Sequence, residues 1–397
     1  RERLASLSAL KVHPREDRTP KAYIFTGCNM LRRWPSPQIA KAVLWPKLEM
    51  IVSINFKMTT SGMFSDYVLT AAAYYEKVGI KYAVTYVPYV ICSDKATEPL
   101  GESKNEWEIF GRFSKTIAER AKARNIPPVR GWFDAPLDLT KVYEEHTSHG
   151  HFDPLDPDDP MRVMDEIFEK SPSVSARTGR EALDMGAVPV IASARPGIIN
   201  QNYSDYDPKD THWAHRDMIE KKSAWPTLTG RMQFYIDHPW FLEGGESLPT
   251  HKEPPHFTSK LPLRIAGGHT RWSIHSIWRD VKLLLRLQRG QPACWMNPKD
   301  TEKRGIKDGD MVRVFNDHGA FECMVKVAAL TAPGEVIIYH AWEPYQFKDW
   351  KGQQEPIESP WKALHLAGGY SQLHYRMFYA GPSHVPHGAA IEVEKVS

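Results

Sequence analysis

The sequence contains few cysteines, and their spacing does not indicate a metal centre. Four cysteines stand at positions 28, 92, 294 and 323, and none belongs to a CxxC pair. Zinc and iron–sulfur sites usually need cysteines at such short spacings, so the cysteines predict no cluster. They are interpreted as buried thiols.

Hydrophobic runs long enough to cross a membrane are also lacking. The longest runs, residues 50–56 and 188–192, fall far short of the roughly 18 residues that a membrane span requires. A soluble chain is therefore predicted, and attachment to a membrane-bound partner stays open.

Charge and common catalytic motifs identify no partner or reaction. The net charge of +3 is too small to indicate nucleic-acid binding. The sequence has no GxSxG elbow, no GxxxxGK[ST] loop and no HExxH helix. The 13 tryptophans and 16 tyrosines are scattered, so they are interpreted as core and interface residues.

The first residues lack the features of a chain start. Arg1-Glu2-Arg3-Leu4 contains no initiator methionine, no apolar signal core and no twin-arginine signal. We therefore expect the sequence to begin partway through a longer chain.

The first third of the sequence predicts an α/β lobe. Strands are expected at residues 22–27, 47–56 and 82–92, with helices at 36–44 and 63–77. A further amphipathic helix is predicted at 105–123, because apolar side chains recur there every three or four positions: Trp107, Phe110, Phe113, Ile117 and Ala121. This helix is expected to close the lobe. The length of 397 residues predicts two or three domains.

The rest of the sequence changes character twice. Residues 126–159 are dense in Pro, Asp, Gly and His and predict a connecting region, before a helical stretch at 160–186. After Trp240 several prolines precede a β-rich part, with a hairpin at 311–316 and 321–327 and a strand at 334–340. The expected domains are 1–125, 126–255 and 256–397.

Two glycine-containing segments and one histidine-rich segment carry candidate chemistry. Residues 264–276 form a strand that runs into Gly267-Gly268, followed by a cluster of His, Arg, Trp and Ser. Backbone amides, Arg and His in such a loop can hold an anionic ligand, although the bare pattern alone favours a structural loop. Gly368-Gly369-Tyr370 is a second loop of this kind or a plain turn. The histidines of residues 145–151 are interpreted as exposed polar residues rather than metal ligands.

Taken together, several segments resemble the dimethyl sulfoxide reductase superfamily, in its nitrate reductase-like branch. The resemblance covers nearly the whole sequence. Its strongest segments are similar to the family's "AKSDWEIY", "LTGRIQFY" and "PHQKWGIHS" motifs, and they lie at residues 103–110, 228–235 and 268–276. The segments Asn297-Pro298, Gly309-Asp310, Tyr339-His340-Ala341-Trp342-Glu343 and Gly368-Gly369-Tyr370 follow in family order.

The resemblance implies a fold class and a cofactor. The fold would be an α/β lobe plus an all-β double-psi barrel, the C-terminal portion of a molybdopterin oxidoreductase catalytic subunit. The lobe would hold one guanosine end of a molybdenum bis(molybdopterin guanine dinucleotide) cofactor, and the barrel would cover both dinucleotides. The residues that match cofactor-binding positions are Thr26, Asn29, Asn55, Thr59, Gly268, His269, Arg271, Trp272, Ser273, His275, Gly369 and Tyr370. Asn55 departs from the Asp common in the family.

The resemblance also implies what lies outside this sequence. Family members supply a molybdenum-ligating Asp and a [4Fe-4S] cluster motif from an N-terminal part, and no residue here matches either. We assign no metal ligand and no catalytic residue within the chain, and expect it to be inactive alone, either as a fragment or as one piece of a split subunit.

For the reaction, the resemblance is closest to ethylbenzene dehydrogenase and the alpha subunit of steroid C-25 dehydrogenase. It implies oxygen-independent hydroxylation of a hydrocarbon C–H bond, with water as the oxygen source. The alternatives are a respiratory reductase of selenate, chlorate or nitrate, a dimethyl sulfide dehydrogenase, or a cofactor-binding module without turnover. An iron–sulfur beta subunit, a haem b gamma subunit and a periplasmic location are implied on the same basis.

Overall fold

A computed structural model describes most of the chain. The described residues are 21–82, 89–130, 135–189, 216–225, 227, 229–237, 241–242, 245, 247–250, 260–357 and 388–396. They form two compact units, the first made of residues 1–68 and 233–397 and the second of residues 69–232. The predicted domains have other boundaries, and that three-domain division stays a prediction.

The first unit begins with a small sheet and short helices. Strands β1 (Ala22–Thr26) and β2 (Met50–Asn55) pair in parallel, and β3 (Tyr67–Thr70) follows in the order β1-β2-β3. Five of the six residues of β2 are buried, as expected of a strand covered on both faces. Between these strands lie α1 (Met30–Arg33), α2 (Pro37–Ile39), a π-helix (Ala40–Leu44), a 3-10 turn (Trp45–Lys47) and, after β2, α3 (Thr60–Met63).

A closed six-stranded barrel forms the larger part of this unit. Its strands are β9 (Leu263–Gly268), β10 (Ala293–Met296), β11 (Met311–Phe315), β12 (Ala320–Val327), β13 (Glu335–Tyr339) and β14 (Ala389–Lys395), closed in the order β10-β12-β11-β14-β9-β13. Buried and less buried residues alternate along β11 and β12, because alternate side chains of a strand point into the barrel. Helices α9 (Lys282–Leu287) and α10 (Pro298–Glu302) and two 3-10 turns (Pro344–Gln346, Lys348–Trp350) connect the strands.

The second unit packs helices on an antiparallel sheet. Its strands β4 (Gly79–Tyr82), β5 (Tyr89–Ser93) and β8 (Ala187–Pro189) pair in the order β4-β5-β8, and β6 (Val129–Arg130) pairs with β7 (Pro136–Leu137). The long helix α4 (Glu106–Ala123) is followed by α5 (Val142–His146), α6 (Asp159–Glu169), α7 (Gly179–Met185) and α8 (Arg216–Ile219). Within the described residues, no helix is long and apolar enough to cross a bilayer.

Three sequence predictions for these elements can be compared directly. The helix predicted at 105–123 is confirmed as Glu106–Ala123, capped by the Asn105 side chain, which accepts from Glu108 N. The hairpin of β11 and β12 is confirmed as well. The helix predicted at 63–77 is wrong: the helix ends at Met63, the Asp66 carboxylate accepts a hydrogen bond from Ile51 N at 2.7 Å, and the chain continues as β3. That long-range hydrogen bond outweighs the local helical pattern.

One buried carboxyl group in the first unit gives a pH prediction. Glu355 is 3% exposed and its Oε1 has no hydrogen-bond partner among the described residues. Burial raises the pKa of Glu355, and Lys41 and Lys351 only partly offset this. The unfolded chain therefore releases this proton at a lower pH than the folded chain. Above the raised pKa, ionised Glu355 lowers the free energy of unfolding. This loss disappears at pH values below 4.5, the pKa of the group in the unfolded chain.

We expect Glu355→Gln to stabilise the protein at pH 7. The free energy of unfolding should rise by about 1.4 kcal/mol for each unit by which the pKa is raised. The difference from the unsubstituted chain should vanish near pH 4. Urea unfolding at both pH values measures it, with the exposed Glu302→Gln as control. A gain of equal size at both pH values would contradict a titration effect.

Candidate functional site

The carboxyl ends of β1 and β2 lie beside the barrel in the first unit. Asn29, at the start of α1, donates from Nδ2 to both carboxylate oxygens of Glu343, at 2.8 and 2.9 Å. Its Oδ1 accepts from the Ser61 hydroxyl at 2.8 Å and from Ser61 N at 3.2 Å. The amide of Asn29 is thereby fully occupied. A residue following β1 is thus joined both to α3 and to the barrel.

Glu343 is the centre of this polar network. It is 0% exposed and also accepts from Thr60 N at 3.1 Å and from the Thr60 hydroxyl at 2.7 Å. Thr59, one residue earlier, accepts from Gly62 N with its hydroxyl and caps α3. A buried charge requires such donors, since an unpaired carboxylate would be too costly to bury. The network therefore fixes the segment after β2 against the loop after β13.

A second set of contacts joins β2 to the loop that follows β9. Lys57 Nζ donates to the carbonyl oxygen of Ser276 at 2.9 Å and lies 3.5 Å from an Asp280 carboxylate oxygen. Lys57 N lies 3.4 Å from Asn55 Oδ1. The loop with the predicted His, Arg and Trp residues is thus held next to the end of β2.

Three histidines converge at the start of this loop. The rings of His269 and His340 are 4.1 Å apart, and those of His275 and His340 are 5.1 Å apart. His340 follows β13, and its Nδ1 lies 2.7 Å from the carbonyl oxygen of Gly268. His275 adopts a positive φ of 50°, which turns the loop back toward the barrel. An ideal Cβ on Gly268 would lie 3.0 Å from the Tyr339 ring, so glycine permits this close approach.

Arg279 lies beneath the loop. It is 1% exposed, its guanidinium lies 4.0 Å from the centroid of the Trp342 ring, and it donates to the carbonyl oxygen of His340 at 2.8 Å. It also donates to the side-chain oxygen of Gln288. Burial, followed by the charge of Arg32, lowers the pKa of Arg279 to about 10. A buried cation therefore underlies the histidine cluster.

Positive charge also reaches the cluster from α1. Burial lowers the pKa of Arg32. The charge of Glu343 raises this pKa in part, and the charge of the neighbouring Arg33 lowers it further. Burial is also the main cause of the lowered pKa values of His275 and His340, and Arg32 contributes to both. Several cationic groups therefore face one region, which is suited to binding an anion.

The structure brings most of the predicted site residues into two groups. Asn29, Thr59 and Asn55 lie at the ends of β1 and β2, whereas Gly268, His269 and His275 lie around the start of the loop. Three more are on the same loop or at the end of β1: Arg271 and Trp272 are exposed, and Thr26 is exposed at the last position of β1. Ser273 is part-buried, and its hydroxyl has no partner among the described residues. Gly369 and Tyr370 lie outside the described residues.

The sequence did not single out the residues that tie these groups together. They are Arg32, Lys57, Arg279, His340 and Glu343. The segment Tyr339–Glu343 was recognised only as a family match. One signal was available there: Glu343 is a charged residue beside Ala341 and Trp342, where burial would require donors from elsewhere.

The histidines of residues 145–151 lie in the second unit and have separate partners. His146 stacks on Trp107 with ring centroids 4.4 Å apart, His149 Nδ1 lies 2.9 Å from Glu144, and His151 Nε2 lies 3.2 Å from Glu166. His146 contributes to packing, and His149 and His151 make polar contacts at the surface.

Two protein families match the chain. Residues 7–116 match the family described as molybdopterin oxidoreductase, and residues 263–356 match the molydopterin dinucleotide binding domain. The first match contains β1, β2 and α1 to α3, and the second contains β9 to β13. Both parts of the candidate site therefore lie in matched segments.

Curated relatives are similar over most of the chain. The respiratory nitrate reductase subunit alpha of Haloferax mediterranei is 36% identical over 89% of this chain and 36% of its own length. The dimethylsulfide dehydrogenase subunit alpha of Rhodovulum sulfidophilum is 30% identical over 94% of this chain and 40% of its own. The perchlorate reductase subunit alpha of Dechloromonas aromatica is 32% identical over 93% of this chain and 38% of its own length. The chain thus spans about two fifths of the length of these relatives.

A solved structure shares the fold. Acetylene hydratase from Pelobacter acetylenicus superposes with a TM-score of 0.62 at 13% identity, covering 99% of this chain and 46% of that one. At this identity the likeness concerns the fold alone.

Proposed function

The chain belongs to the molybdopterin oxidoreductase family, and on that basis we propose that it forms part of the cofactor-binding region of a respiratory oxyanion reductase. The observation that carries the oxyanion assignment is its similarity to a nitrate reductase and a perchlorate reductase alpha subunit, at 36% and 32% identity. Hydroxylation of a hydrocarbon, expected from the sequence, stays an untested prediction. The similarity to dimethylsulfide dehydrogenase supports oxidation of a small sulfide as a second candidate.

The family's cofactor is molybdenum held by two molybdopterin guanine dinucleotides, and the chain's residues fit such a group. Its phosphates need buried donors, and Arg32 Nε and Ser273 Oγ are buried without a hydrogen-bond partner among the described residues. Arg32 also adds positive charge near His275. When bound, the cofactor supplies two-electron oxygen-atom transfer.

We assign the chain's own residues two kinds of role. His269, His275, Arg271 and Ser273 would donate to the cofactor from the loop after β9, with Trp272 and Gly268 lining it. Asn29 has used all four of its hydrogen-bonding positions on Glu343 and Ser61. Asn29 would therefore position the backbone after β1 rather than touch the cofactor. Thr26, Asn55, Thr59, Gly369 and Tyr370 remain proposed cofactor-binding positions.

The finer features of the fold and the assembly belong to the same proposal. The parallel pairs β9–β13 and β10–β12 flank the antiparallel pair β10–β13, which supports a double-psi arrangement of the barrel. An iron–sulfur beta subunit would deliver the electrons, with a [4Fe-4S] cluster in the alpha subunit and a haem b gamma subunit as a further partner. A periplasmic location is part of this proposal.

The overall reaction would remove one oxygen atom from the oxyanion. Nitrate would take up two electrons and two protons and yield nitrite and water. The electrons come from the partner subunit, or from a reduced dye in an assay. Arg32 and Arg33 add positive charge near His275, which supports the binding of an anionic group in this region.

A dye-coupled assay of the intact complex tests this function. Reduced viologen should be oxidised by nitrate, chlorate or perchlorate. Oxidised dye should not be reduced by dimethyl sulfide, ethylbenzene or a sterol. In the same complex His269→Ala should lower the bound molybdenum content, whereas His149→Ala, on the surface of the second unit, should not. Turnover of ethylbenzene without oxyanion reduction would reject the proposal in favour of hydroxylation.

A further inference from the structure

The three histidines around the start of the β9 loop have the composition and spacing of a metal-binding site. His269, His275 and His340 each offer a ring nitrogen, and these nitrogens all lie within 4.8 Å of one another. We propose that His269, His275 and His340 bind one divalent transition-metal ion of the imidazole-preferring kind, such as Zn²⁺, Co²⁺ or Ni²⁺, in the chain without its pterin cofactor. This ion is distinct from the molybdenum.

The tautomer of His340 presents a lone pair to the cluster. Its Nδ1 lies 2.7 Å from the carbonyl oxygen of Gly268, which can only accept, so Nδ1 carries the hydrogen. In the neutral ring Nε2 is then unprotonated, and it lies 2.8 Å from His275 Nδ1. Metal-binding histidines commonly have this arrangement, with the other ring nitrogen donating to a backbone carbonyl.

The spacing allows coordination with small side-chain movements. Zinc–nitrogen bonds of about 2.0–2.1 Å in a tetrahedron place the ligand atoms roughly 3.3 Å apart. The nitrogens of His275 and His340 are now at 2.8 Å, joined by one hydrogen. A neutral His275 can move that hydrogen from Nδ1 to Nε2. The metal then occupies the space between the rings and no net proton is released. His269 and His275 are exposed, so their rings have room to rotate.

Charge around the cluster determines the fourth ligand. Arg32 and His269 act on both rings, Arg33 acts on His275, and the backbone carbonyl of Gly268 acts on His340. Burial, followed by these charges, lowers the pKa values of both rings. Three arginines close by, namely Arg32, Arg33 and the buried Arg279, disfavour an isolated dication. We therefore expect an anion, such as chloride or phosphate, at the open fourth position of the metal.

Cobalt titration of the full chain tests the site. The chain is prepared without pterin cofactor, and any polyhistidine tag is removed. We expect one equivalent of Co²⁺ to produce the visible absorption bands of tetrahedral cobalt, and Zn²⁺ to displace it. His340→Ala should weaken binding on the order of 100-fold. His149→Ala, an exposed histidine of the second unit bonded to Glu144, should leave it unchanged.

Two further measurements keep the result unambiguous. His269→Ala removes one proposed ligand, so it should weaken cobalt binding. Because it leaves the His275–His340 hydrogen bond in place, its far-UV circular dichroism should stay that of the unsubstituted chain. A saturating metal should also raise the melting temperature of the unsubstituted chain but not of His269→Ala. Absence of tetrahedral bands, or equal affinity in both site variants and the unsubstituted chain, would overturn the proposal.

Discussion

Replacing Glu343 by Ala should destabilise the first unit by about 3–5 kcal/mol, which is typical of removing one partner from a buried charged network. The change removes four hydrogen bonds and leaves Asn29 Nδ2, Thr60 N and the Thr60 hydroxyl buried without an acceptor. It also removes the negative charge that favours the charged form of the partly buried Arg32. Denaturant unfolding followed by tryptophan fluorescence measures the loss.

Two further variants identify the cause. Glu343→Gln keeps one oxygen for Thr60 but turns an NH₂ group toward the Asn29 donor, so its loss should be smaller than that of the Ala variant and still clear. Glu335→Ala, at the exposed start of β13, should change the free energy of unfolding by less than about 0.5 kcal/mol. A Glu343→Ala effect no larger than that control would show that the network contributes little.

Replacing Arg279 by Ala should cost about 3 kcal/mol, far more than the same change at Arg313. The two arginines are a matched pair. Arg279 lies 4.0 Å over Trp342 and Arg313 lies 4.5 Å over Phe315, and each also makes a side-chain hydrogen bond. Burial separates them, because Arg279 is 1% exposed whereas the Arg313 side chain is 45% exposed.

The physical reason lies in what each substitution leaves behind. Without Arg279, the carbonyl oxygen of His340 loses a buried donor and a cavity opens against Trp342. Without Arg313, water replaces the guanidinium beside Glu394, so the loss should stay below about 1 kcal/mol. Urea unfolding of both variants provides the comparison. Similar losses in the free energy of unfolding at the two positions would mean that burial of Arg279 does not increase its contribution to stability.

Local patterns in the sequence predict an element correctly where the residues that stabilise the element lie within it. The helix Glu106–Ala123 has its cap, its first-turn glutamates and its apolar spacing within the element. The β11–β12 hairpin likewise has alternating residues and a turn at Asp317-His318-Gly319. Such features depend on neighbours along the chain, so a single sequence reveals them.

The rest depends on contacts between distant residues. Asn29 and Glu343 are separated by 314 positions, and His275 and His340 by 65. No local sequence pattern predicts that a residue after β1 will contact a residue after β13. The resemblance therefore predicted His269 and His275 as a pair, and only the fold adds His340 to them. The sequence places residues 69–125 in the first lobe, and this domain division stays a prediction beside the two units of the structure.

Closure of the barrel also determines when the site can exist. Strand β14, at Ala389–Lys395, stands between β11 and β9, and β9 to β13 cannot form a closed ring before it is made. The first unit additionally needs residues 21–68, which must wait while residues 69–232 are synthesised. Folding that depends on such distant pairings is slow. On the ribosome, the nascent chain therefore has an open barrel until residue 395 emerges, so the histidine loop after β9 gains its closed support only once β14 has been made.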